Sequence, residues 1–174
     1  MSPTESSSTE SPVILGIDPG SRITGYAVLS ESSRRGEPRV LEAGIIKLPG
    51  TDSIESRVAQ LHAETRELIA RLKPSVMAIE KLYSHYAHPQ TAVVMAHARG
   101  VILLAAQQAA IPIDHLPSTE VKKSITGHGH ASKEQVQLAV TTQLGLAEPP
   151  KPVDVSDALA IALTAFRRRV LLAL

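Results

Sequence analysis

Four acidic residues stand where acids can do chemistry: Asp18 in GIDPG, Glu80 in VMAIE, and Asp154 and Asp157 in DVSDALAIAL. Asp18 and Glu80 each end a short apolar run, so each carboxylate is expected at the mouth of a buried strand. A buried carboxylate is costly unless a metal, a basic group or backbone donors meet it. Asp154 and Asp157 are spaced i, i+3, which puts both on one face of a helical turn. Each acid also has an ordinary reading. Asp18 can accept turn N–H groups. Asp154 or Ser156 can cap a helix, whose dipole favours acids in its first turn. Glu80 can pair with an arginine or with Lys81, although adjacent strand residues face opposite ways and Lys81 is the weaker partner.

The set points further than its members. Two like charges at neighbouring strand ends repel unless a divalent cation neutralises them. Four acids in a chain without cysteine describe a site of hard oxygen ligands suited to magnesium or manganese. Two such ions about 4 Å apart can activate a water, clamp a phosphate and stabilise the leaving oxygen.

The elements that must position these acids are legible in the periodicity. VILGID, starting at Val13, is a buried strand, closed by the Pro19-Gly20 turn. ITGYAVLS and VLEAGIIKL follow as strands joined by the polar loop ESSRRGEP, and the three form an antiparallel meander. Ile54, Val58, Leu61, Leu68 and Leu72 recur at helical spacing over residues 53–72, before Pro74. VMAIE is a central strand, followed by the loop KLYSHYAHPQ and an alanine-rich helix over 91–110. IPIDHL is a fifth strand. Helices over 118–125, 132–144 and 155–171 complete the chain, the last reached through AEPPKPVD. Strands four and five, each preceded by a helix, should run parallel by right-handed crossover. The expected fold is α/β, a five-stranded mixed sheet flanked by helices. Gly16, Gly20 and Gly25 would let backbone or ligand approach the sheet closely.

Composition bounds the rest. The 174 residues suit one compact domain over 13–174, and the Ser/Thr/Glu/Pro-rich residues 1–12 are expected to be a disordered tail. With aromatics at 2%, the core must be aliphatic. The absence of cysteine excludes disulfides and thiolate zinc sites. The first residues lack the features of a secretory signal, and no apolar run reaches the roughly 20 residues that span a bilayer, so a soluble cytoplasmic protein is the default. A net charge of +1 is neutral on nucleic-acid binding.

Smaller candidates surround the acids. Tyr83 and Tyr86 lie in the loop after Glu80, where an aromatic ring can stack on an unpaired base. Lys122 and Lys133 are candidate phosphate contacts, whereas Lys123 reads as a solvated residue. Arg167, Arg168 and Arg169 end the last helix, where cations complement its dipole. His85, His88, His128 and His130 form two short clusters, read as loop histidines rather than zinc ligands. One face of the alanine-rich helix would suit a dimer contact if exposed.

GIDPGSRITGYAV, AIEKLY, ARGVILLAA and SDALAIAL closely resemble the RuvC family of Holliday-junction resolvases, from about Val13 to Phe166. The resemblance implies a ribonuclease-H-like fold and a structure-selective endonuclease. Such an enzyme resolves four-way DNA junctions by paired symmetric nicks, through two-metal-ion hydrolysis, in recombination and repair. It implies that Asp18, Glu80, Asp154 and Asp157 are the catalytic metal ligands. Tyr83 would stack on a base near the junction centre, and Lys122 and Lys133 would contact DNA near the scissile phosphate. It also implies a homodimer that works with the RuvA and RuvB branch-migration proteins. Tyr83 stands where the family usually has Phe, and residues 1–12 have no expected counterpart. Two other readings remain. The Asp-Gly turn also fits actin- and hexokinase-like ATPases, which need a second domain that this chain has no room for. A catalytically silent junction-binding or RNA-processing relative is the other, against which the complete acidic set counts.

Overall fold

The computed structural model describes residues 12–34, 36–81 and 89–172. The expectations for Tyr83, Tyr86, His85 and His88 fall outside those residues, as does the Ser-rich segment apart from Pro12.

The strands are β1 (Ile14–Asp18), β2 (Ile23–Glu31), β3 (Pro38–Lys47), β4 (Val76–Glu80) and β5 (Ile113–Leu116). They form one sheet in the order β3-β2-β1-β4-β5. β1, β4 and β5 run parallel, and β2 runs against both β1 and β3. This is the five-stranded mixed sheet expected from the periodicity, in the ribonuclease-H-like arrangement that the family resemblance implies. Its directions gather five chain segments at one edge: the ends of β1, β3, β4 and β5 and the start of β2, where Ile23 pairs with Lys47.

Among the described residues five helices cover the two faces: α1 (Ile54–Leu72), α2 (Pro89–Gln108), α3 (Ser118–Thr126), α4 (Lys133–Gln143) and α5 (Val153–Leu172). Side chains alternate along each strand, and the core divides accordingly. Leu15, Ile17, Met77 and Ile79 pack against α1 and α2. Ile14, Ala27, Val76 and Ala78 pack against α3, α4 and α5. The helix limits follow local chemistry. Ser53 caps α1 by accepting from the Ser56 N–H, and Ser132 closes a capping box with Gln135 at the head of α4. Gly127 ends α3 at a positive φ of 79°, which suits glycine.

Two helices depart from the expected limits. α2 begins and ends two residues earlier than 91–110, and α5 begins at Val153 rather than at 155. Asp154 therefore lies inside the first turn of α5, and neither it nor Ser156 is the cap. Pro152, with its fixed φ, is compatible with a helix entry, and it lets α5 start sooner than the apolar periodicity indicates.

α5 is apolar on nearly every side because it is enclosed between the sheet and α3 and α4; every residue from Ala158 to Phe166 is buried. Two glycines make this approach possible. A Cβ on Gly16 would lie 2.6 Å from both the Ala158 carbonyl oxygen and the Ala162 nitrogen, and one on Gly25 would run into the Asp154 carbonyl oxygen. At its far end α5 is tied down by the three arginines. Arg167 donates to the Ser124 carbonyl and to Gln143, Arg168 to Glu120, and Arg169 to Asp114. They thus hold α5 to α3, α4 and β5, in keeping with the structural reading of the sequence.

Because Gly25 faces backbone rather than a movable side chain, Gly25→Ala should displace the start of α5 and cost about 1–3 kcal/mol of stability. Urea denaturation checks this, and a midpoint equal to that of the parent chain would refute the close-contact account.

Candidate functional site

The register brings the first two acids together. Ile17 pairs with Ile79 across β1 and β4, so Asp18 and Glu80 are the next residues on adjacent parallel strands, about 4.8 Å apart in the sheet. α5 supplies the other two, because its first turn lies directly over Gly25, the β2 partner of Asp18. All four acids line one cleft of about 540 Å³, and Lys122 of α3 and Lys133 of α4 line the same cleft. The structure therefore brings together every sequence-predicted site residue that falls within the described part.

The electrostatics show how much negative charge is concentrated there. Burial pushes the Asp18 carboxyl from its ordinary 3.8 up to about 8, with Asp157, Glu80 and Asp154 adding repulsion and Lys133 opposing it. Glu80 is also raised, first by burial and then by Asp157, against the pull of Lys122 and Lys133. Lys133 donates to Asp157 Oδ2 at 3.1 Å. Burial alone would lower the Lys133 pKa, but Asp157, Asp18 and Asp154 outweigh it and the net shift is upward. One ammonium thus offsets part of the charge of several carboxylates.

That donor set fits hard divalent cations: carboxylate oxygens only, no thiolate, and a buried excess of negative charge. Among the described residues no group of three or more acids or histidines forms a ready-made cage for one ion. The carboxylates line the cleft wall instead, with Lys133 among them. His128 and His130 are exposed on the loop between α3 and α4. Lys123 is exposed as expected. Among the described residues Glu80 has no ion pair, with Lys81 or with any other base.

Three arginines around the site were not singled out from the sequence. Arg57 of α1 donates through Nη2 to the Ser21 carbonyl at 2.6 Å and braces the turn that follows Asp18. Arg99 of α2 donates through Nε to the Glu80 carbonyl at 3.1 Å, and its Nη2 lies 2.6 Å from His115 Nδ1. The His115 pKa is pushed down by burial, then by Arg99 and Lys81, which keeps that ring nitrogen available as an acceptor. Arg22 lines the cleft. Arg22, in GIDPGSR, and Arg99, in ARGVILLAA, each lie in a segment that carries the family resemblance, whereas Arg57 lies in none of them and its role arises from tertiary contact.

A family model described as crossover junction endodeoxyribonuclease RuvC matches residues 14–165. A protein of that name from Rhodopirellula baltica is 49% identical over 152 residues, which cover 86% of this chain and 83% of the relative. One from Moorella thermoacetica is 45% identical over 150 residues, 86% and 88% of the two chains. A structure of Thermus thermophilus RuvC in complex with Holliday junction substrate superposes with a TM-score of 0.82 at 36% identity, covering 91% of this chain and 97% of that one.

The raised Asp18 pKa yields a stability prediction for the metal-free protein. A carboxyl titrating at about 8 when folded and at 3.8 otherwise carries no penalty well below pH 4. The penalty grows as pH rises towards about 8, because the fold then holds a charge it disfavours. In EDTA, Asp18→Asn should therefore melt above the parent chain, with a gain on the order of a few kcal/mol at pH 8 that shrinks towards pH 5. Magnesium or manganese should raise the parent melting temperature more than that of the variant. An unchanged or lowered melting temperature for Asp18→Asn at pH 8 would refute this charge balance.

Proposed function

The chain belongs to the RuvC family of crossover junction endodeoxyribonucleases, and from that premise we propose that it resolves four-way DNA junctions by paired symmetric nicks. It is a nuclease that hydrolyses phosphodiesters, and its place is in recombination and repair. The observation that carries the reading is the convergence of Asp18, Glu80, Asp154 and Asp157 in one cleft with Lys122 and Lys133 on its wall.

In this reading Asp18, Glu80, Asp154 and Asp157 are the catalytic residues and hold divalent metal, magnesium or manganese, with two ions per site in keeping with four carboxylates. Bound there, the metal supplies Lewis acidity and charge neutralisation for phosphodiester hydrolysis. The chain's own residues do the rest. Lys122 and Lys133 attract the phosphate backbone and hold it over the acids, and Lys133 also keeps Asp157 oriented into the cleft. Arg99 fixes the end of β4, and with it the position of Glu80. Tyr83, two residues past the Lys81–Leu116 backbone bond, stacks on a base near the junction centre.

A homodimer supplies two such sites for paired nicks. Its contact surface is the outer face of α2, where Val93 is 56% and Leu104 49% exposed and Gly100 has open space above it. Working partners are the RuvA and RuvB branch-migration proteins, and the location is the cytoplasm; among the described residues no helix is long and apolar enough to cross a membrane. Residues 13–174 act as the single nuclease domain, and residues 1–12 are a tail.

The test is incubation with a labelled synthetic four-way junction and a matched duplex, in magnesium, manganese or EDTA. Symmetric paired nicks on the junction alone, abolished by EDTA, are expected; cleavage of neither substrate with junction binding retained would leave a silent binding relative. Asn or Gln at any of the four acids should lower cleavage by at least about a hundredfold while junction binding persists. Tyr83→Ala should slow junction cleavage at unchanged melting temperature, and an unchanged rate would remove its stacking role.

A further inference from the structure

We infer that Arg22 is a DNA phosphate contact on the wall of the cleft opposite Lys122, one to two nucleotides from the phosphate over the acids. The inference rests on the junction-cutting reading above and adds a residue to it.

The sheet gives the layout. At the edge that carries the site, successive strands present Arg22 just before β2, Asp18 at the end of β1, Glu80 at the end of β4, and the β5–α3 connection leading to Lys122. From β2 to β5 there are three strand spacings, about 14 Å. A nucleic-acid strand advances about 3.4 Å per nucleotide along the duplex axis and further along its own backbone, so this edge spans at most about four nucleotides. A backbone crossing it over the acids meets a guanidinium on one side and an ammonium on the other.

Arg22 is poised for that contact. It lines the cleft, it is exposed, and it makes no ion pair among the described residues. Its backbone is held without help from its side chain: the Leu48 N–H donates to the Arg22 carbonyl at 2.8 Å, and Arg57 braces Ser21. Its guanidinium lies over Gly50, where an added Cβ would come 3.2 Å from Nε. Seating over a glycine limits the rotamer freedom lost on binding, while the fork of N–H donors stays open to a phosphate. The turn that orders Asp18 thus also presents a cation to the same strand of DNA.

The experiment measures junction binding in EDTA from 50 to 200 mM salt for the parent chain, Arg22→Gln and Arg22→Lys, beside their melting temperatures. Arg22→Gln should bind several-fold more weakly to junctions of any sequence, with the log–log salt slope reduced by about 0.9, the share of one phosphate contact. Arg22→Lys should keep the slope, and melting should not change. Junctions with single methylphosphonates placed one or two nucleotides from the nick should weaken the parent chain but not Arg22→Gln further. An unchanged affinity and slope for Arg22→Gln, or a lowered melting temperature in both variants, would overturn the inference. If the parent chain fails to prefer a junction over the matched duplex, the function on which it rests falls instead.

Discussion

The contact between the backbone of α5 and the sheet surface is the constraint on which the rest of the structure depends. A helix normally rides on a sheet on a cushion of side chains, but here Gly16 and Gly25 remove the cushion and the helix backbone touches the strands. Its first turn is consequently set beside the end of β1, and Asp154 and Asp157 arrive at the cleft already occupied by Asp18 and Glu80. The alanines of α5 serve the same end, since Ala158 and Ala162 lie against Gly16 and Ala158 comes next after the Asp154 backbone at Gly25. The three arginines at the opposite end fix the helix lengthwise.

This geometry is electrostatically uphill for the protein by itself. In this partly buried cleft the Asp18 and Glu80 carboxyls resist ionisation, through burial first and the neighbouring acids second. Packing of α5 offsets the repulsion: a run of residues with almost no exposed surface contributes favourable burial at roughly 25 cal/mol per Å². The acids stay together because the core holds them there, and Lys133 moderates the strain without abolishing it. A site built this way trades stability for readiness to take up positive charge.

Much of this was legible in the sequence, for physical reasons. β-Branched runs ended by Pro-Gly turns marked β1 and β3, and the change of period after residue 53 marked α1. The three glycines announced a close approach but not what would approach; the fold answers helix backbone at Gly16 and Gly25. The start of α5 was misplaced because a Pro-rich connector followed by acids looks like a cap from sequence, whereas Pro152 admits Val153 into the helix. The contacts of Arg57 and Arg99 could not be read in advance, even with Arg99 inside ARGVILLAA, since their partners, Ser21 and the Glu80 carbonyl, lie 36 and 19 residues away. α2 gave a poor face signal because apolar residues lie on its buried side, at Ala98, Ile102, Ala105 and Ala106, and on its outer side, at Val93 and Leu104.

The division of the acids between β1, β4 and α5 has a consequence for the life of the chain on the ribosome. Asp18 and Glu80 emerge early, whereas Asp154 and Asp157 come with the last helix. A chain arrested before α5 carries only half the carboxylates, and the face bearing Gly16 and Ala27 has lost its cover. Such a fragment would present uncovered apolar sheet surface to proteases before the cleft is complete. Incomplete synthesis therefore leaves a chain open to clearance before its four acids are ever brought together.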